Sequence, residues 1–259
     1  MKQTLFTLAL VLSLTTCSYS NPPEPLVIGY NEELLNSVYW NDKTSNQGID
    51  AEILRTLFQR SNLNYEIKFE PWSRLIHQVE TGAIASICPG FKTPERESFA
   101  VYLKEPLNYS TFSIFTKRGK EFVFEGLKDL HGKRIGVNLG YSISPDITNK
   151  KHKSKISIIE LYTSEANLKA LVNDRIDAYA GNRDSTLFIV KKSGLSDKVT
   201  CLTHPISAPR PVYLMFSKIY AENNNHTTIM KLNRTLEKMW KDNIIKKIVS
   251  KYTTSNLAN

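Results

Sequence analysis

Gly90-Phe91-Lys92-Thr93-Pro94-Glu95-Arg96 is the stretch of this chain with the clearest chemical content. Thr93 is a good N-cap, and Pro94 suits the first helical position, where its missing N–H costs nothing. Glu95 complements the positive end of the helix dipole. A cation at Arg96 opposes that dipole by roughly 0.3–1 kcal/mol unless an anion sits in front of it. Backbone N–H groups at a helix start, joined by a guanidinium fork, make a clamp for a carboxylate or phosphate. The same arginine would equally serve as a surface partner of Glu95 or Glu97, and its type and spacing alone leave both roles open. No Ser–His–Asp arrangement or glycine-rich phosphate loop accompanies it. The five histidines show no zinc-ligand spacing, so no catalytic set, cofactor or metal is expected.

The elements around this stretch alternate. Leu26–Tyr30 reads as a short apolar strand, and Ile53, Leu54, Leu57 and Phe58 recur at helical spacing between Ile49 and Asn62. Tyr65–Phe69 reads as a strand, Trp72–Thr81 as a helix stopped by Gly82, and Ala83–Ile87 as a buried strand before the Thr93-capped helix. A second round follows: strand Arg134–Val137, turn Gly140-Tyr141-Ser142 into a helix, strand Ser157–Leu161, a helix capped by Ser164, and strand Ile176–Ala180. Strand Val212–Phe216 and two helices, 225–240 and 242–252, complete the chain and are expected to pack back on the first round. The pattern predicts an α/β protein of two related lobes, each a mostly parallel sheet flanked by helices. Ligands of open α/β sheets bind at the carboxyl ends of strands, where Gly90–Arg96 and Gly140–Ser142 both lie.

The N-terminus predicts export. Lys2 supplies a basic start, Leu5–Leu14 an apolar stretch too short to span a bilayer, and Ser18 and Ser20 small residues before a cut at Asn21. Residues 1–20 are therefore expected to be a signal peptide. Cys17 offers lipid attachment as an alternative, ranked below soluble export because Thr16 is bulkier than the residues usual before a lipidated cysteine. Removal of the leader, with Lys2, leaves 33 basic against 25 acidic side chains. This balance suits an anionic ligand, but the cations are scattered. Their one dense run, Lys150–Lys153, has no interleaved aromatics and reads as a solvated loop, so nucleic acid is not expected. Cys88 and Cys201 sit in apolar segments and read as buried free thiols.

The ordered set of segments resembles the solute-binding proteins of polar amino-acid ABC transporters, solute-binding family three. The resemblance rests on Leu26–Tyr30, Gly48–Leu54, Thr93–Arg96, Leu127–Val137, Arg175–Ala178 and the Lys246–Tyr252 helix, and it spans essentially the whole mature chain. It implies a type II periplasmic-binding-protein fold whose two lobes are joined by two hinge strands. The first lobe would be 21–108 plus 211–259 and the second 109–210, which places Cys88 and Cys201 apart. It implies a monomer in the periplasm that closes on a small carboxylate-bearing solute and delivers it to an inner-membrane ABC permease, with no enzymatic activity. Arg96 would clamp the carboxylate and Trp72 stack on the ligand, unless Trp72 is a core residue. Tyr30, Gly90 and Phe91 would lie on the same rim. Tyr141 and Ser142 would offer donors from the second lobe, unless Ser142 only caps a helix.

Two positions depart from the family's pattern. Phe91 stands where a Ser or Thr is usual. Asn182 stands where an acidic residue holds the ligand's ammonium, and an amide supplies no counter-charge. Common polar amino acids are therefore expected to bind weakly. Two other classes share this scaffold: exported enzymes that aromatise a cyclohexadienyl acid, for which Asp184 and Glu165 are the candidate general acids, and sensor inputs to receptors.

Overall fold

The computed structural model describes residues 25–35, 37–45, 47–144, 155–223 and 226–254. The expected signal peptide, Cys17, the basic run Lys150–Lys153 and most of the helix expected after Gly140–Ser142 lie outside these residues. Eleven strands are described. The first sheet holds β1 (Leu26–Asn31), β2 (Tyr65–Glu70), β3 (Ser86–Gly90), β4 (Ala100–Tyr102), β5 (Asn108–Ser110) and β11 (Arg210–Ser217), in the order β2-β1-β3-β11-β4 with β5 on β11. The second holds β6 (Phe112–Lys117), β7 (Arg134–Asn138), β8 (Ser157–Leu161), β9 (Ala178–Asn182) and β10 (Val199–Pro205), in the order β10-β6-β9-β7-β8.

Both sheets are mixed rather than mostly parallel. The pairs β1/β2, β1/β3, β7/β8 and β7/β9 are parallel, whereas β11 runs against β3 and β4, and β6 against β9 and β10. The antiparallel members are the strands next to the two crossings between lobes. There the chain passes directly from β5 into β6 and from β10 into β11, with no crossover helix to restore its direction. β5 and the start of β11 pair antiparallel, Asn108 opposite Val212 and Ser110 opposite Arg210, and form a two-stranded hinge.

Helix α1 (Ile49–Arg60) buries Ile53, Leu54, Leu57 and Phe58 completely, as their spacing requires. It starts at Gly48, whose φ of +126° is open to glycine and whose added Cβ would lie 2.4 Å from the Tyr39 carbonyl oxygen. The C-terminal helices α7 (His226–Lys241) and α8 (Ile244–Thr254) pack Leu232, Leu236, Met239 and Ile245 into the same core. The remaining helices are α2 (Trp72–Glu80), α3 (Pro94–Glu97), α4 (Ser164–Val172), α5 (Arg183–Lys192) and α6 (Lys218–Glu222). Thr163, not Ser164, caps α4: its side chain accepts from the Ala166 N–H.

Cys88 and Cys201 are free, the first fully buried on β3 and the second half-buried on β10. Burial pushes both thiols above their usual range. A thiol reagent applied to the native protein is expected to label Cys201 well before Cys88, as read by peptide mapping. Equal rates would contradict the burial of β3.

Candidate functional site

The site is assembled where β3, α2 and the hinge of the first lobe face the β7 turn and the end of β9 in the second. Gly90 ends β3 with a structural task of its own. A Cβ there would meet Met215 Sδ at 2.6 Å, so glycine lets β3 and β11 approach. After it the chain turns into α3, capped as expected by Thr93, whose Oγ1 accepts the Arg96 N–H at 3.3 Å. This cap fixes Arg96, 6% exposed, against the cleft wall.

Arg96 Nη1 donates to the Phe91 carbonyl at 3.2 Å and Nη2 to the Gly140 carbonyl of the second lobe at 3.0 Å. Trp72, at the start of α2, lies under the guanidinium at 5.2 Å from its ring centroid. Its Nε1 donates to the same Gly140 carbonyl at 3.2 Å. Gly140 holds a φ of +74°, the left-handed conformation that sets this carbonyl across the lobe gap. Neither Glu95 nor Glu97 forms an ion pair with Arg96, and Glu97 instead lies 3.7 Å from Lys92. Burial pulls the guanidinium below its usual pKa, and nearby Arg210 adds to this.

Trp72, Phe91, Arg96, Tyr141, Ser142 and Asn182 share one cleft. Tyr30 and Gly90 do not line it. Tyr30 is fully buried inside the first lobe, packed on Trp40 and Phe69, with its hydroxyl donating to Asp50 at 2.7 Å. β1 extends one residue further than Tyr30, and the alternation of a strand turns Asn31 to the cleft in its place. Asn182 ends β9 and caps α5. Its Oδ1 accepts from both the N–H and the hydroxyl of Ser185, at 3.0 and 3.1 Å, and its Nδ2 donates to Ser110 Oγ at 2.6 Å. Asp184 accepts from the Tyr39 hydroxyl across the lobes at 3.0 Å.

Arg210 was not singled out by the sequence. It stands at the hinge return and donates from Nη1 to the carbonyls of Ser142 (2.6 Å) and Ile143 (3.0 Å), with its guanidinium 4.0 Å from the Phe91 ring centroid. It therefore positions both the second-lobe turn and an aromatic wall of the cleft. The signal available was an arginine between two prolines, Pro209 and Pro211, at an expected crossing. Glu33 was missed as well. Its carboxylate accepts the Ser164 N–H at 2.9 Å, a carboxylate of one lobe at the first turn of a helix of the other. Burial and the neighbouring Glu165 raise its pKa to about 7, against the opposing effect of the Ser164 hydrogen bond.

The contacts of Arg96, Trp72, Glu33, Tyr39 and Asn31 with Gly140, Ser164, Asp184 and Tyr141 all cross between the lobes. They define the closed arrangement. Tyr39→Phe removes one such hydrogen bond, worth about 0.5–1.5 kcal/mol. It is expected to weaken ligand affinity about two- to tenfold through lobe closure, as measured by calorimetry; unchanged affinity would show that Tyr39–Asp184 does not stabilise closure.

Known proteins resemble this chain in sequence and in fold. The chain is 25% identical over 211 residues to the probable amino-acid-binding protein YxeM of Bacillus subtilis (strain 168), covering 81% of this chain and 77% of the relative. It is 25% identical over 248 residues to the L-cystine-binding protein TcyJ of the same organism, covering 91% and 88%. Among solved structures, an ancestral arginine-binding protein bound to glutamine superposes with a TM-score of 0.71 at 22% identity, covering 88% of this chain and 97% of that one. That likeness shows the two-lobed periplasmic-binding fold. The family model of the bacterial extracellular solute-binding proteins, family 3, matches residues 26–255, and this chain belongs to that family.

Proposed function

We propose that this protein is a monomeric periplasmic receptor that captures a small carboxylate-bearing solute between its lobes, 21–108 plus 211–259 and 109–210, and delivers it to an ABC permease. The observation that carries this reading is Arg96. A guanidinium has five N–H donors in a fixed fork, and carbonyls take two of them. The rest of a buried, unpaired cation faces the gap between lobes, where an anion would be bound with little competition from water. Trp72 and Phe91 supply apolar walls. Closure of the lobes on the ligand is the only event required, so the free energy of the closed liganded form sets affinity.

Unfolded, ligand-stripped and refolded protein screened by thermal shift against organic acids, amino acids and amines tests this. A ligand at about 100 times its dissociation constant adds about 2.7 kcal/mol to stability, enough to raise the midpoint visibly. Carboxylate-bearing compounds are expected to raise it. Stabilisation by amines with none by carboxylates would overturn the reading.

A further inference from the structure

Resting on that reading, we propose that the cleft selects monocarboxylates with a compact apolar body and no α-ammonium group. The donors and acceptors on its wall suit an anion and not a cation. An ammonium is a three-donor group that needs acceptors, with a carboxylate among them if it is to be buried. Among the described residues no Asp or Glu lines the cleft, and each side-chain acceptor on its wall already takes at least one donor. The Gly140 carbonyl takes Arg96 and Trp72, and the Phe91 carbonyl takes Arg96 and the Tyr102 hydroxyl. Asn182 Oδ1 takes two donors from Ser185, while Asn31 Oδ1 takes the Glu33 N–H. The hydroxyl oxygens of Ser110 and Tyr141 each accept one amide already.

The nearest carboxylates are directed elsewhere. Asp184 receives the Tyr39 hydroxyl, and Glu33 receives the Ser164 N–H. Glu95 and Glu160 stand on an outer depression that shares Arg96, Tyr141 and Ser142 with the cleft, but both are exposed to water. The fixed cation nearest the cleft has a second guanidinium, Arg210, behind Phe91. Two cations, with no carboxylate among the described lining residues, favour an anion and repel a zwitterion's positive end. Apart from Ser142, whose hydroxyl accepts from Arg210 Nη2 at 3.4 Å, the rest of the wall is apolar, including Leu34, Trp72, Phe91, Phe112 and Val212. The cleft in this arrangement leaves about 50 Å³ of free space, room for a few water-sized groups, which favours a short body.

Calorimetry of the stripped, refolded protein with compounds differing in one group tests this. The probes are 3-methylbutanoate against valine, butanoate against 2-aminobutanoate, and 3-methylbutanamide. Each acid is expected to bind at least about tenfold tighter than its amino partner, and the amide not at all. Asn182→Asp retains the cap acceptor and adds a charge to the wall. It is expected to weaken the acids about tenfold and to narrow or invert the preference over the amino acids. Amino acids that bind as tightly as the acids in the wild type would overturn the proposal while leaving carboxylate capture intact. An amide that binds as tightly as the acid would overturn carboxylate capture itself. If neither acid binds at about 10 mM, a dissociation constant too weak to count as recognition, the compact apolar body is wrong.

Discussion

Arg96→Ala is expected to lower the affinity for a carboxylate ligand at least a hundredfold while leaving the protein folded. Removing one partner of a buried, hydrogen-bonded charge pair costs about 2–5 kcal/mol, much of it from leaving the other charge unpaired. The fold is insulated from this change by redundancy in the acceptors that Arg96 serves. Without it the Phe91 carbonyl keeps the Tyr102 hydroxyl and the Gly140 carbonyl keeps Trp72 Nε1, so neither oxygen is orphaned. Arg96→Lys should recover little, because an ammonium cannot reproduce the planar fork that reaches two carbonyls and a ligand together. Calorimetry with a carboxylate identified by thermal shift, alongside circular dichroism, makes the measurement. Unchanged affinity in a folded variant would remove Arg96 from the site.

What could be read from the sequence was local. The Thr93 cap, Pro94 and Arg96 lie within four residues of one another, and the apolar face of α1 within six, so helix chemistry alone places them. Errors of strand register had unequal consequences. β9 runs over 178–182 rather than the expected 176–180, so Asn182 ends the strand instead of following it and stands on the cleft. At the end of β1 the cleft residue is one further along, so Asn31 takes the place expected for Tyr30. Arg210 and Glu33 escaped for a different reason. Their partners Ser142 and Ser164 lie 68 and 131 positions away, and only the closed fold makes them neighbours. The antiparallel members of each sheet likewise follow from how the chain crosses between lobes, which no local periodicity encodes.

Asp50 shows how the hinge is anchored, and its removal should be the most destabilising single change proposed here. Its carboxyl is fully buried on α1, accepting from the Tyr30 hydroxyl of β1 and from the Asn108 amide of the hinge strand β5. Asp50→Ala leaves both donors without an acceptor, at about 1–3 kcal/mol each, beside an Asn108 Oδ1 that already lacks a partner. A loss of about 2–4 kcal/mol is expected at pH 7, read from the urea midpoint. Burial raises the Asp50 pKa from an ordinary 3.8 to about 7, against the opposing effects of Tyr30 and Asn108. The folded chain thus holds the proton more tightly than the unfolded one. Its contribution to stability is fully present below about pH 4 and is lost as pH rises to about 7. Glu33 acts in the same direction between about 4.5 and 7. Asp50→Asn keeps the volume and one acceptor but cannot titrate, so the fall in stability from pH 4 to 7 should become shallower without vanishing. Combined with Glu33→Gln it should flatten further. An Asp50→Asn variant with the wild-type slope would mean that the buried carboxyl keeps one protonation state throughout, and that the hinge is held by an ionised aspartate.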